Sequence, residues 1–363
     1  MRKSFFVVLC LIIILLLVMS CSTKSTEPKT VATPTFSPAG GTYSSGQTVT
    51  ISCATSGAEI RYTSDGTVPT SASTLYSAPI TVSATSTIKA KGFKDGWDAS
   101  QTATAAYIIY ALPAEFVLVE GGTFFNGLSN VTLSSYYISK YELTQTEYTA
   151  VMGTNPSNHQ SVTNGPVENM SWLNTIVYCN KRSVMEGLTP CYSYSTFGTN
   201  PVNWPEEWDD EDVYPPYSNH ELIACNWAAN GYRLPTEMEW EYAARGGNLS
   251  QGYTYSGSND IDSVTWYSDN SGNTTHPVDS KAPNELGIYN MSGNVNEMVW
   301  DIQDAYPAGD QTNPHGPENG WYRAVRGGEY LGLEAHCQVN YRGACSVTYP
   351  SFNRGFRIAK NYP

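Results

Sequence analysis

Residues 231–247, with the sequence GYRLPTEMEWEYAARGG, constrain the fold of this chain more than any other stretch. Thr236 and Glu239 are three residues apart, the spacing at which each side chain accepts a hydrogen bond from the other's backbone N–H at the start of a helix. Gly246 follows a run of helix-forming residues and can adopt the left-handed conformation that ends many helices. The sequence therefore predicts a short helix with both ends specified.

One face of this helix is expected to lie in a hydrophobic core. Trp240, Ala243 and Ala244 share a face by helical spacing, whereas Met238 falls outside it. The glutamates of the first turn and Arg245 near the end suit the helix dipole. Taken alone, the pattern indicates a well-capped surface helix.

The same stretch is similar, nearly residue for residue, to the signature of the formylglycine-generating enzyme (sulfatase-modifying factor) family. The similarity covers residues 115–363 and includes PVENMSW at residues 166–172. Helix starts predicted at Thr144 and Ser171 agree with it. The resemblance implies an α+β domain with a C-type-lectin-like core and long irregular loops.

The first twenty residues are expected to direct export. Arg2 and Lys3 precede an apolar run over residues 5–19, which is shorter than the roughly 20 residues that a transmembrane helix needs. Cys21 comes directly after these twenty residues, as the lipidated cysteine does in bacterial lipoprotein signals. We therefore predict a signal peptide over residues 1–20 rather than a transmembrane anchor. Lipidation of Cys21 would then hold the protein to a membrane of the bacterial cell envelope, with Ser22 favouring the outer membrane and the cell surface.

Residues 21–33 are rich in Ser, Thr, Lys and Pro and are predicted to be a tether. Residues 34–110 contain short strand-like runs separated by Gly-, Pro- and Ser-rich turns, which predict a small β-sandwich. The sequence IRYTSDGTVPT at residues 60–70 resembles the C-terminal immunoglobulin-like module of chitobiases and hexosaminidases. A spacer role is favoured for this module, and sugar binding is the alternative.

The formal charge of −13 and the lack of a basic stripe exclude nucleic acid as a partner, because such a surface repels phosphate. Two of the eight cysteines belong to the signal and anchor region. An exported location permits disulfides among the other six, but their pairing cannot be derived from sequence. Cys179 with Cys191 and Cys337 with Cys345 are two possible local pairs.

Residues 287–297 form a Gly-containing segment that offers oxygen ligands. Ca²⁺ prefers several oxygens from side chains and backbone carbonyls at mixed spacing. The resembled family holds a structural calcium at the positions that match Asn290, Gly293, Val295 and Glu297, the middle two through their carbonyls. The resemblance thus implies calcium as a structural cofactor. The alternative is a turn in which Asn290 and Glu297 bond only to the backbone.

Enzymes of the resembled family bind copper(I) through two cysteines, five residues apart, that follow a Gly-Gly pair. Cys337 matches the second cysteine, but Gly332 stands at the first position and has no ligand atom. A single thiolate does not reproduce a site built from two soft sulfur ligands. We therefore expect no catalysis. The alternative is a copper-dependent, formylglycine-generating oxidoreductase that uses Cys337 to activate sulfatases by oxidising a cysteine of the protein substrate.

The segment between Arg326-Gly-Gly328 and Gly355-Phe-Arg357 is predicted to bind a ligand. It mixes aromatic and apolar residues with Ser, Asn and Gly, a composition typical of adaptable binding surfaces. It resembles the variable proteins diversified by bacterial retroelements, which display a changeable ligand site on a C-type-lectin fold. A protein or a carbohydrate is the expected ligand, and a structural envelope role is a further alternative. The predicted ligand-binding residues are Tyr330, Leu331, Leu333, Glu334, His336, Tyr349 and Phe352.

Overall fold

The computed structural model of the chain describes residues 29–43, 46–109, 114–204 and 222–362. The predicted signal peptide, Cys21 and most of the predicted tether lie outside these residues. The chain divides into two units, Met1–Leu112 and Pro113–Pro363. Within the described residues, no helix combines the length and the apolar character needed to cross a bilayer.

The first unit is built from short strands, as its alternating pattern predicts. In its described part these are β1 (Thr35–Ser37), β2 (Gly41–Tyr43), β3 (Gln47–Ser52), β4 (Glu59–Thr63), β5 (Thr74–Leu75), β6 (Ile80–Val82), β7 (Ser86–Phe93) and β8 (Ala103–Ile109). They form one sheet in the order β1-β3-β6 and another in the order β2-β8-β7-β4-β5. Val49 and Ile51 of β3 and Ile88 of β7 belong to the apolar core. The sandwich-like arrangement of the sheets is therefore confirmed.

This unit begins before the predicted end of the tether at residue 33. The side chain of Val31 is buried, and its N–H donates to the carbonyl of Asp98. The N–H of Asp98 donates in turn to the carbonyl of Lys29. The prediction was wrong here because one valine among polar residues gives no periodicity from which a strand partner can be inferred.

The second unit combines helices with several small sheets. Its helices are α1 (Gln145–Met152), α2 (Trp172–Met185), α3 (Glu237–Ala244) and the short α4 (Ile261–Val264), with 3₁₀ turns at Ser195–Phe197, Pro201–Asn203, Gly247–Leu249 and Glu334–Cys337. Its strands are β9 (Phe116–Val119), β10 (Gly122–Phe125), β11 (Asn130–Leu133), β12 (Tyr136–Ser139), β13 (Tyr192–Tyr194), β14 (Ile223–Cys225), β15 (Tyr232–Arg233), β16 (Asn296–Ile302), β17 (Gln311–Thr312), β18 (Tyr322–Arg326), β19 (Gly343–Ser346), β20 (Arg354–Gly355) and β21 (Ala359–Asn361).

The second unit contains two four-stranded sheets, and one of them places the ends of the predicted ligand-binding segment. One has the order β15-β21-β12-β9 and the other the order β19-β18-β16-β20. β18 carries Arg326 at the start of the segment, and β20 carries Gly355 near its end; both strands pair with β16. The segment therefore leaves and re-enters a single sheet.

The predicted helix starts are confirmed. Thr144, Ser171 and Thr236 each cap a helix, and each capping box is complete. After α3, Gly246 has the left-handed φ of 90°. Glycine is favoured there because a Cβ would lie 2.7 Å from a carboxylate oxygen of Glu285.

The prediction of a single core face on α3 is wrong. Met238 is as buried as Trp240 and belongs to the same core cluster. Even Glu237 and Glu241 of this helix are buried. The error has a physical cause: the acidic residues that suggest a solvated face are neutralised by arginines from distant strands, which helical periodicity cannot show.

Arg326 is the central partner of the α3 acids. Its two terminal nitrogens donate to Glu237 at 2.9 Å and to Glu241 at 2.7 Å, and its side chain is inaccessible to solvent. It also donates to the carbonyl of Val339 at 2.8 Å. This one side chain links the helix to β18 and to the segment that follows β18.

We predict that Arg326→Met lowers the free energy of unfolding of the second unit by about 3 to 5 kcal/mol, because it leaves buried carboxylates short of a counter-charge. Arg245→Met is the matched control, since half-exposed Arg245 also pairs with Glu241. Arg245→Met should lower the free energy of unfolding by less than about 1 kcal/mol. Urea unfolding followed by circular dichroism measures both, and equal losses would contradict the assigned role.

Candidate functional site

Both ends of the segment over residues 326–357 are fixed in the core. Arg326 binds α3, and Arg357 donates to Glu297 through Nε at 2.6 Å and through Nη2 at 2.5 Å. Gly328 has a φ of 74°, and a Cβ there would lie 2.7 Å from the His336 carbonyl oxygen and 2.8 Å from the Cys337 sulfur. The chain thus folds back tightly just after β18.

Most of the predicted ligand-binding residues reach solvent. Leu333 is 63% exposed, Tyr349 55% and Phe352 45%. Leu331 and Glu334 are also exposed, and His336 is half-buried. We call these six residues the C-terminal surface. Their exposure leaves these side chains available for contact with a partner, and a contiguous apolar patch would mark a contact site.

A cavity of about 230 Å³ is lined largely by residues of the same segment. Glu329 and His336 come from its first part, and Asn353 and Arg354 come from its end. Tyr341, whose ring stacks on His336 with centroids 4.6 Å apart, forms another wall. One carboxylate oxygen of Glu329 is buried without a hydrogen-bond partner, and burial raises the pKa of this carboxyl. The lining can therefore both donate and accept hydrogen bonds.

Tyr330 is a correction to the predicted set, because it is only 2% exposed. Its hydroxyl lies 3.0 Å from Nε2 of His159, and its ring meets the imidazole edge to face. The backbone N–H of His159 donates at 2.8 Å to Glu168, which is fully buried. Tyr330 thus joins the segment to the loop before α2, a contact between residues too far apart in sequence for a local pattern to reveal.

Cys337 is enclosed by protein. It packs with Tyr255, Val264 and Tyr267, and burial raises the pKa of its thiol to about 12. It is a free cysteine, as are the other five in the described part of the chain, so neither suggested disulfide is formed. Cys345 lies on β19 opposite Arg323. Cys337 therefore has the character of a small core residue.

Gly332 stands at the position where a copper(I) site would need a second thiolate, and it offers only backbone atoms. Gly332 is buried, and its carbonyl accepts a hydrogen bond from the N–H of Ser268. A Cβ at Gly332 would lie 3.0 Å from the carbonyl oxygen of Glu329. Position 332 therefore offers no sulfur atom to pair with that of Cys337. This pair of residues does not fit the paired thiolates of a copper(I) site.

The predicted calcium ligands surround a buried acid that sequence reasoning missed. Glu142 accepts from Nδ2 of Asn290 at 3.0 Å, from Nδ2 of Asn294 at 2.7 Å and from the N–H of Val295 at 3.2 Å. The side-chain oxygen of Asn290 is buried and has no partner. An orphaned amide oxygen next to a buried carboxylate is a feature that a hard cation would satisfy.

Glu297 has a different environment from the one that the calcium prediction assigns to it. Both of its carboxylate oxygens accept from Arg357, and one also accepts from the indole N–H of Trp240 at 2.6 Å. Burial and the charge of Glu297 raise the pKa of Glu142 to about 8. The cluster therefore holds two acids and one arginine. Glu297 is thus occupied by arginine and indole donors, whereas the side-chain oxygen of Asn290 has no partner.

Comparison with known proteins agrees with this architecture. Residues 110–362 match the sulfatase-modifying factor enzyme 1-like domain. The chain belongs to this family. In the first unit, residues 38–104 match the chitobiase/β-hexosaminidase C-terminal domain. Both family resemblances inferred from the sequence are thereby confirmed, together with the α+β fold.

The chain is similar to proteins that carry several different names. The chain is 39% identical to the chaperone protein LppX of Paenibacillus barcinonensis, over 68% of this chain and 89% of that protein. It is 33% identical to the formylglycine-generating enzyme of Streptomyces coelicolor, over 42% of this chain, and it spans about half (51%) of the enzyme's length. Treponema denticola variable protein 1 superposes with a TM-score of 0.62 at 30% identity, covering 72% of this chain and 96% of that chain.

We predict that Cys337 resists alkylation in the folded protein, because a thiol with a pKa of about 12 is almost entirely protonated at pH 8. Mass spectrometry after iodoacetamide treatment should find Cys337 unmodified in native protein and modified after unfolding in guanidinium. Half-buried Cys53 of the first unit is the internal comparison. Rapid native labelling of Cys337 would show an accessible thiolate.

Proposed function

We propose that this protein is a lipid-anchored envelope protein that binds a ligand through its C-terminal surface without catalysing a reaction. The observation that carries the proposal is the contrast within one segment: its ends are locked by buried arginines, whereas Leu333, Tyr349 and Phe352 remain in solvent. A rigid frame that presents exposed aromatic side chains lowers the entropic cost of binding. The neighbouring 230 Å³ cavity offers polar groups for specificity.

The anchor and the first unit complete this proposal. Lipidation of Cys21 would attach the chain to the outer membrane, and the β-sandwich would serve as a spacer between the membrane and the binding domain. The ligand is proposed to be a protein or a carbohydrate. The formal charge of −13 argues against nucleic acid.

The similarity to the Streptomyces coelicolor formylglycine-generating enzyme supports a second candidate, oxidation of a cysteine in a protein substrate. It would require copper and a reactive Cys337. The buried position of this thiol and the glycine at position 332 weigh against it. In this candidate, Cys337 is the catalytic residue.

We predict that the double change Tyr349→Ser and Phe352→Ser weakens ligand binding by at least about tenfold, since central aromatic contacts dominate many interfaces. Detergent-solubilised full-length protein would be screened on arrays of glycans and secreted proteins, and hits quantified by surface plasmon resonance. Phe125→Ser is the matched control, because Phe125 is 57% exposed on β10, outside this segment.

Two results would reject this proposal. One is a ligand whose affinity is lowered as much by Phe125→Ser as by the double change. The other is turnover of a Cys-x-Pro-x-Arg peptide with copper and reductant that Cys337→Ser abolishes, which would establish the oxidoreductase.

We further propose that calcium stabilises the second unit at the turn that contains Asn290, Gly293, Val295 and Glu297. The orphaned oxygen of Asn290 and the buried carboxylate of Glu142 support this proposal. Glu142 would be an additional oxygen ligand, while Glu297 remains paired with Arg357. The role is structural.

We predict that calcium raises the melting temperature of the second unit and that Asn290→Gly abolishes the rise. Glycine suits this variant because Asn290 has a φ of 51°, so the backbone is kept while the amide oxygen is removed. Asn164→Gly is the control, since Asn164 is exposed and has a φ of 56°. Differential scanning calorimetry measures the melting temperature of each variant in calcium and in EDTA. If the melting temperature of the wild-type protein is the same in both, calcium does not bind.

A further inference from the structure

Arg323 differs from the other buried arginines in the described part of the second unit. Those at positions 233, 326 and 357 each pair with a glutamate. Arg323 is 4% exposed, yet it forms no ion pair among the described residues. The acid that acts on it is buried Asp301, which forms no ion pair with it and whose own pKa is raised by burial, so the charge of Arg323 is not fully compensated.

The guanidinium of Arg323 is held in place by aromatic rings. It lies 3.9 Å from the ring centroid of Trp172 and 5.0 Å from that of Trp300. Nη1 donates to the Trp300 carbonyl at 2.6 Å, whereas Nε is buried without any hydrogen-bond partner. Burial lowers the pKa of Arg323 to about 10, so the group remains charged at neutral pH. The side chain is thus oriented while part of its donor capacity is unused.

The same side chain lines a cavity of about 460 Å³. Trp227 and Trp300 line this cavity, and His315 stacks on Trp227 with centroids 3.7 Å apart and planes within 3°. A volume of this size accommodates a small molecule. The cavity shares no lining residue with the one at the C-terminal surface.

We propose that this cavity binds a small aromatic carboxylate, whose carboxylate pairs with Arg323 and whose ring packs against the walls formed by Trp227 and Trp300. A guanidinium presents parallel N–H donors that match a planar carboxylate. Tyr192 and Arg323 lie over the ring of Trp300, and His315 and Arg233 lie over that of Trp227, so a ligand ring meets the indoles edge to face. The ligand would form the ion pair with Arg323 that neither Asp301 nor Glu318, an acid of the cavity lining, makes in the described part of the chain.

Isothermal titration calorimetry on the full-length protein tests this site with three probes: benzoate, benzamide and inorganic phosphate. Benzoate should bind saturably, and benzamide, which keeps the ring but lacks the charge, should bind at least about tenfold more weakly. Phosphate should also bind weakly because it has no ring. Arg323→Met should remove benzoate binding, whereas Arg354→Met, which alters an arginine at the other cavity, should leave it unchanged.

Equal affinities for benzoate and benzamide, tighter binding of phosphate, or no saturable benzoate binding would each overturn the proposal. Should Arg323→Met fail to fold by circular dichroism, Trp227→Leu provides the second variant. This variant removes one aromatic wall and keeps the arginine. It should weaken the binding of benzoate more than the binding of phosphate. Unchanged benzoate affinity in that variant would also overturn the proposed binding mode.

Discussion

Pairing between the glutamates of α3 and arginines of two strands is the interaction on which the second unit depends. Glu237 and Glu241 bind Arg326, and Glu239 binds Arg233 of β15 through two hydrogen bonds. Each acid would be costly in the core alone, and each arginine would be equally costly. Because the partners come from different strands, these pairs require the helix and the sheets to assemble together.

A second buried network connects this helix to the end of the C-terminal segment. The indole of Trp240 donates to Glu297, which also binds Arg357. The segment over residues 326–357 is therefore held at both ends by arginines bound to acids in the core. Side chains between these ends can face solvent without weakening the frame, which is the arrangement that a binding surface requires. Within the segment, Cys337 is buried against Tyr255, Val264 and Tyr267 rather than presented to solvent.

Much of the architecture could be predicted from local pattern. The capping boxes at Thr144, Ser171 and Thr236 involve residues three positions apart, so the sequence contains all the necessary information. The strands of the first unit follow from alternation and turn residues in the same way. For the candidate site, Leu333, Tyr349 and Phe352 are exposed, as the predicted surface requires, whereas Tyr330 is buried; on α3, Met238 is buried although it was predicted to lie off the core face. Each of those two side chains is covered by residues remote in sequence.

The sequence by itself determined the helix ends, the two-unit pattern, the family resemblance and the replacement of a cysteine by Gly332, because these depend on residue identity and short-range geometry. Only the tertiary structure decided which charges are buried and with which neighbours: Glu142 with Asn290 and Asn294, Glu297 with Arg357, and Arg323 with aromatic rings and no ion pair among the described residues. The physical reason is that the free energy of a buried charge depends on its neighbours in space, and long-range folding alone brings those neighbours together.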